Sequence, residues 1–318
     1  MRPFRPRPTS SFVSAVVAVA VLPFALFAAD SASAQALSCL GSAATIVGTD
    51  NANHIRGTSH RDVIVGMGGN DVISGNGGHD TICGGAGNDR TDGALAEERL
   101  VGGPGDDVLR GHRGNDLIIG DSANLLGSAV GSTGNDYIDE GFGADLAIGD
   151  NYGRSTAIGA SHDRILGLPG PDRVIGDSVV AGVGTARGGA PDKLTGAGGH
   201  DLVVGDSFSP RGAAIGGGDD DLSGGPEGDL LIGDSLTHSG VATGSGNDLL
   251  HGLTGADTLY GDNRATERSG RTTGGGRDLL TGGPGNDDLF GGPTPDKCAG
   301  GSGRDRARRC GEWTIGVP

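Results

Sequence analysis

A chain of 318 residues is long enough for one or two ordinary domains, but 66 glycines and 3% aromatic residues exclude an ordinary domain's composition. Acids outnumber Lys and Arg by 40 to 24, and 34 of them are Asp, a residue of turns rather than helices. The formal charge of −16 excludes nucleic acid and anionic lipid as partners and favours divalent cations.

The first residues stand apart. Arg2, Arg5 and Arg7 precede an apolar stretch over 12–29 that is broken by Pro23, and A-x-A sites follow at 32–34 and 34–36. Residues 1–34 are therefore predicted to be a secretory signal peptide, cleaved after Ala34 or Ala36. The alternative is an uncleaved anchor, since eighteen apolar residues reach spanning length; the central Pro and the small-residue exit oppose it. No membrane span is expected after cleavage. Removal of 1–34 takes away three Arg and one Asp and leaves 39 acids against 21 bases.

Four cysteines remain, and outside the cell they are expected to be oxidised, with three connectivities open. Their clustering at the two ends of the mature chain favours Cys39–Cys83 and Cys298–Cys310, each stapling one end of what lies between. Free thiols and a zinc site are the alternatives, and no C-x-x-C pair supports zinc.

Laid out in nines, residues 66–74 read GMGGNDVIS, 75–83 GNGGHDTIC, 102–110 GGPGDDVLR, 111–119 GHRGNDLII and 282–290 GGPGNDDLF. The common unit is G-G-x-G-x-D-x-U-x, with U a large apolar residue. Twenty units carry Asp at the sixth position: Asp62, Asp71, Asp80, Asp89, Asp107, Asp116, Asp136, Asp145, Asp163, Asp172, Asp192, Asp201, Asp220, Asp229, Asp248, Asp257, Asp278, Asp287, Asp296 and Asp305. A weaker unit at 48–56 has Asn53 there, and a degenerate one at 93–101 has Glu98. A disordered acidic linker would not keep this order. Glycines one, two and four allow a tight turn whose carbonyls point inward, and Asp six adds a hard carboxylate oxygen of the kind Ca²⁺ takes. The x-U-x triplet reads as a short strand with U facing inward.

The unit resembles the calcium-binding nonapeptide of the RTX (repeats-in-toxin) family, over about residues 48–308. The resemblance implies an all-β fold, a right-handed parallel β-roll or β-helix solenoid. Two nonapeptides would make one turn, and each Ca²⁺ would sit between a turn and the one two repeats further on. The twenty Asp are then the expected ligands of multiple Ca²⁺ ions. Ordering so much glycine backbone and packing so many carboxylates both oppose folding, so ion binding is expected to be coupled to it. No pore-forming or catalytic domain like those of RTX toxins and enzymes is expected from the sequence, and the expected export signal is N-terminal where that of the toxins is C-terminal. It looks more like the small secreted calcium-binding repeat proteins of bacteria.

From Gly131 the rhythm changes. Eighteen-residue blocks at 131–148, 158–175, 187–204, 215–232, 243–260 and 273–290 are each preceded by an insert of nine to twelve residues opening G-D-S or G-D-N. The expected organisation is an N-terminal cap (37–56), contiguous nonapeptides (57–119), six insert-bearing blocks (120–290) and C-terminal repeats with a stapled cap (291–318). Since two units make one turn, every insert should leave from the same side. We expect them to loop out as a comb, folding back over the apolar residue before each: Ile119, Ile148, Ile175, Val204, Ile232 and Tyr260. The alternative is that each insert is itself a degenerate coil. Asp121, Asp150, Asp177, Asp206, Asp234 and Asp262 begin the inserts, as extra ligands or as caps of the turn.

The expected function is calcium binding by a non-enzymatic, secreted protein with a structural or interaction role. The insert edge is the expected contact face for cell envelope, matrix or polysaccharide. A carbohydrate-active or hydrolytic enzyme using a face of the coil, and an adhesion or ice-binding protein, are the rivals. Gly233-Asp234-Ser235-Leu236 and Asp248-x-x-His251 mimic an esterase signature, but G-D-S recurs four times at the same place in the long repeat.

Overall fold

Each x-U-x triplet forms a short strand, as in Val72–Ser74 and Thr81–Cys83, and some run on into the following turn to six residues, as in Val108–Arg113. The structure, a computed structural model, describes residues 37–314, so the expected signal peptide lies outside the described residues. No helix occurs among the described residues. Two sheets of twelve strands each run the length of the array, and successive units alternate between them. All pairs in these sheets are parallel; among the described residues only the terminal Ser38–Cys39 and Ser42–Ala43 pair antiparallel. This is a parallel β-roll.

Its core is one residue wide. After Ile55, the residues Ile64, Ile73, Ile82, Leu100, Leu109 and Ile118 continue a stack that ends at Leu280, Leu289 and Cys298, all of these but Ile55 almost fully buried. These are the U positions, facing each other from the two sheets. With so thin a core, each member counts. Leu231→Ala is expected to lower the unfolding free energy by about 2–5 kcal/mol in saturating calcium. Leu126→Ala, at an insert residue that is 83% exposed, should change it by less than about 0.5 kcal/mol. Urea denaturation followed by circular dichroism measures both.

The inserts are not loops. Residues such as Val179–Val180, Phe208–Ser209 and Leu236–Thr237 form one six-stranded parallel sheet, and Thr185–Arg187, Ala213–Ile215 and Val241–Thr243 belong to a second. The coil widens there from two sides to four, and its register lengthens from 18 residues to between 27 and 30 before returning to 18. Two features make the expected excursions into strands. Near-equal lengths let each insert lie in register on the next, satisfying its backbone groups by pairing rather than by water. Their inward residues also fit. Val179, Phe208 and Leu236 pack on Ile148, Ile175, Val204 and Ile232, giving a second apolar core. Ala129, Ala157, Ala186, Ala214 and Ala242 stack at 0–3% exposure where larger side chains would hold the layers apart.

Both ends are tied by disulfides, Cys39–Cys83 and Cys298–Cys310, with Cα–Cα distances of 5.8 and 5.9 Å. The first fastens the terminal hairpin to Thr81–Cys83, the third strand of its sheet, and Cys298 also closes the core stack.

Candidate metal centre

The turn between strands is shaped by its glycines. Gly69, Gly87 and Gly105, at position four, have φ of 90°, 130° and 136°, which L side chains rarely adopt. Position one is different: its glycine is demanded by space. A Cβ on Gly66 would lie 2.1 Å from the Gly84 carbonyl oxygen and 2.5 Å from Asp71 Oδ2. On Gly102 the same atom would meet Gly120 O at 2.3 Å and Asp107 Oδ2 at 2.2 Å. A carbonyl of the next coil and a carboxylate of the same unit thus bracket a small polar cradle.

The sixth-position aspartates are stacked in two columns. In each, the N–H of one Asp donates to Oδ1 of the Asp a coil further on: Asp71 to Asp89 at 2.8 Å, Asp163 to Asp192 at 2.7 Å, Asp287 to Asp305 at 3.1 Å. That bond fixes the carboxylate plane and leaves Oδ2 aimed at the cradle. In nineteen of the twenty, every one but Asp62, Oδ2 is buried with no hydrogen-bond partner. An orphaned buried carboxylate oxygen is costly, and one every coil is a systematic feature. Asp62 is the exception because burial, which would raise its pKa, is outweighed by hydrogen bonds from Thr58 and Thr45, and its pKa is lowered.

Electrostatics agree. Burial pushes Asp89 up to about 6, Asp172 and Asp229 to about 7 and Asp107 to about 8. Asp136 rises to about 11, from burial first and then from Asp163 and Asp121. Carboxylates in such a site want a cation. A hard divalent ion taking oxygen ligands at about 2.3–2.6 Å fits a cradle of carbonyls and carboxylates in which a methyl group would collide.

The inserts alter the site in a way the repeat register hides. Counted in nines, position one of the later blocks falls on residues such as Ile158, Arg187 and Thr243. The glycine that faces the cradle is instead the first residue of each insert: a Cβ on Gly120, Gly149 or Gly176 would lie 2.1 Å from Oδ2 of Asp136, Asp163 or Asp192. Each insert therefore enters after a unit's opening Gly-Asp. The insert Asp then caps the turn: the N–H groups of Gly218, Gly246 and Gly276 donate to Oδ1 of Asp206, Asp234 and Asp262 at 2.9–3.0 Å. The second oxygen of Asp150, Asp177, Asp206 and Asp262 is buried without a partner, so capping leaves a ligand atom spare.

Two acids depart from the pattern. Glu98, in the Asp place of the degenerate unit, is buried with Oε2 unpartnered, and burial first and then the charge of Asp116 raise its pKa. Glu140 was not singled out from the sequence; its signal was an acid at position one, where glycine is otherwise required. The esterase-like Ser235 is fully buried in an insert, its N–H donating to Asn263.

The RTX calcium-binding nonapeptide repeat family model matches the chain in four copies, at residues 56–90, 92–124, 242–263 and 272–307. The matches flank the central insert-bearing coils, where the nine-residue rhythm is interrupted but the aspartate columns continue. No curated protein matches the chain.

Proposed function

From a chain that carries RTX calcium-binding nonapeptide repeats, we propose a secreted, non-enzymatic protein in which Ca²⁺ binding by the twenty sixth-position aspartates drives folding of the roll. The observation that carries this reading is the set of nineteen orphaned Oδ2 atoms, all but that of Asp145 beside a cradle that only glycine leaves open. Ions in the cradles would neutralise columns of buried carboxylates that otherwise repel, and would join one coil to the next. The signal-like 1–34 and the two disulfides support an oxidising, extracellular setting, where calcium is plentiful. No helix among the described residues is long and apolar enough to cross a membrane. The two insert sheets add a surface that the plain roll lacks, and we place contacts with envelope, matrix or polysaccharide there.

The test is a calcium titration of the chain without residues 1–34, followed by far-UV circular dichroism. Strand signal is expected to appear with a midpoint of about 10⁻⁴–10⁻³ M and to vanish on addition of EGTA. A strand signal indifferent to EGTA would overturn coupled folding.

A further inference from the structure

Unit 140–148 opens with Glu140 where the array has glycine, and Glu140 pairs in register beside Gly111 of the coil before it. A Cβ on Gly111 would lie 2.3 Å from Asp116 Oδ2, so the backbone at this position aims a side chain straight into the cradle. Glu140 is fully buried, and neither of its carboxylate oxygens has a hydrogen-bond partner. One oxygen each from Glu140, Asp145 and Asp172 lie within 4.8 Å of one another, the one such acidic group of three among the described residues. Oδ2 of Asp145 and of Asp172 is orphaned too, while Oδ1 of each is held by the N–H of Asp116 and of Asp145, at 2.6 and 2.9 Å.

We infer that Glu140, Asp145 and Asp172 form a three-carboxylate Ca²⁺ site, tighter than the other cradles and the first to fill. The inference rests on the calcium reading above and adds a rank order to it. A plug is the competing role: a protonated Glu bonded directly to its neighbours would replace the ion. No hydrogen bond joins Glu140 to its neighbours: both of its oxygens are without a partner, as are Oδ2 of Asp145 and of Asp172. One oxygen from each of the three lies within 4.8 Å of the others, a spacing that an ion can fill. Calcium affinity rises with the number of charged ligands and the rigidity of the site, and here a third carboxylate is held by a buried strand. The ion would clamp the first insert-bearing coil to the second, where the contiguous array gives way to the wider one.

The test is competition for Ca²⁺ between a chromophoric chelator and the chain without residues 1–34, as wild type, E140Q and E140G. Wild type is expected to take one ion at about tenfold lower free Ca²⁺ than the rest. Both variants should lose that tight phase, the site in E140G joining the ordinary cradles, and keep the main folding midpoint within about twofold. E140G carries the residue the array uses at this position, so its loss of the tight ion cannot be laid to misfolding. Binding curves that superimpose on wild type would overturn the site, and one extra ion in E140G would show Glu140 to be a plug. Uniform weak binding by wild type would remove this proposal alone, whereas no binding at all would remove the calcium reading as well.

Discussion

Lowering the pH from about 8 to about 5 is expected to push the ion-free and the calcium-loaded chain in opposite directions. Burial raises the folded-state pKa of Asp89 to about 6, Asp172 to about 7 and Asp107 to about 8, against about 3.9 for an unfolded Asp. A carboxylate raised in this way adds nothing against the ion-free fold below about pH 4, where both states are protonated. Its penalty grows as pH rises through the folded pKa. At about 1.4 kcal/mol per pKa unit, a few such groups outweigh the roughly 5–15 kcal/mol that a domain holds in reserve. In EGTA, therefore, strand signal should be least at pH 8 and increase toward pH 5. With calcium the sign reverses, because each ion must displace protons from its ligands. If about one proton leaves per ion, the calcium midpoint should fall about tenfold per pH unit between about 5 and 8. Circular dichroism against pH, with and without excess calcium, reads both arms. The same slope in both would refute carboxylate-held ions.

Gly176→Ala should both destabilise the central array and cost it bound calcium. The added methyl carbon would sit 1.9 Å from the Gly205 carbonyl oxygen and 2.1 Å from Asp192 Oδ2. Neither can retreat: the backbone around that carbonyl is held by the Gly176 N–H donating to Val204 O at 3.0 Å and the Gly205 N–H donating to Ile232 O at 2.9 Å, and Asp192 is clamped by the Asp163 N–H at 2.7 Å. Overpacking a fixed site costs about 3 kcal/mol or more, and here the same methyl also blocks the cradle, so bound calcium should fall as well as stability. Gly77→Ala is the matched control. Nothing lies within 4 Å of its Cβ direction, and it should be neutral or slightly stabilising, by about 0.4–1 kcal/mol through the unfolded chain. Urea unfolding and a count of bound ions separate the two. Equal effects would mean that the cradle is not where the glycines matter.

Much of the roll was legible because its code is local. Ile64, Ile73 and Ile82 stand nine residues apart, and that spacing alone places them in one stack. Asp six, just after the glycine turn, likewise announces the aspartate columns. The insert-bearing coils were harder. Phe208 and Leu236 read as loop residues until each is seen lying on the strand of a neighbour 28 residues away, a match that no single insert contains. The cradle glycine of those coils was concealed for the same reason. Nine-residue counting carried the register across the insert, whereas in space Gly176 serves the unit that contains Asp192.

By itself, then, the sequence determined a Ca²⁺-suited repeat, its aspartate columns and the facing apolar stack, because each unit carries its own turn, ligand and core residue. Only the tertiary structure decided that the inserts become two further sheets, since that depends on pairing and packing between coils. It alone also turned Glu140 from an odd residue into a buried neighbour of Asp145 and Asp172. The direction of a side chain at position one is set by the stacked backbone, and no local pattern records it.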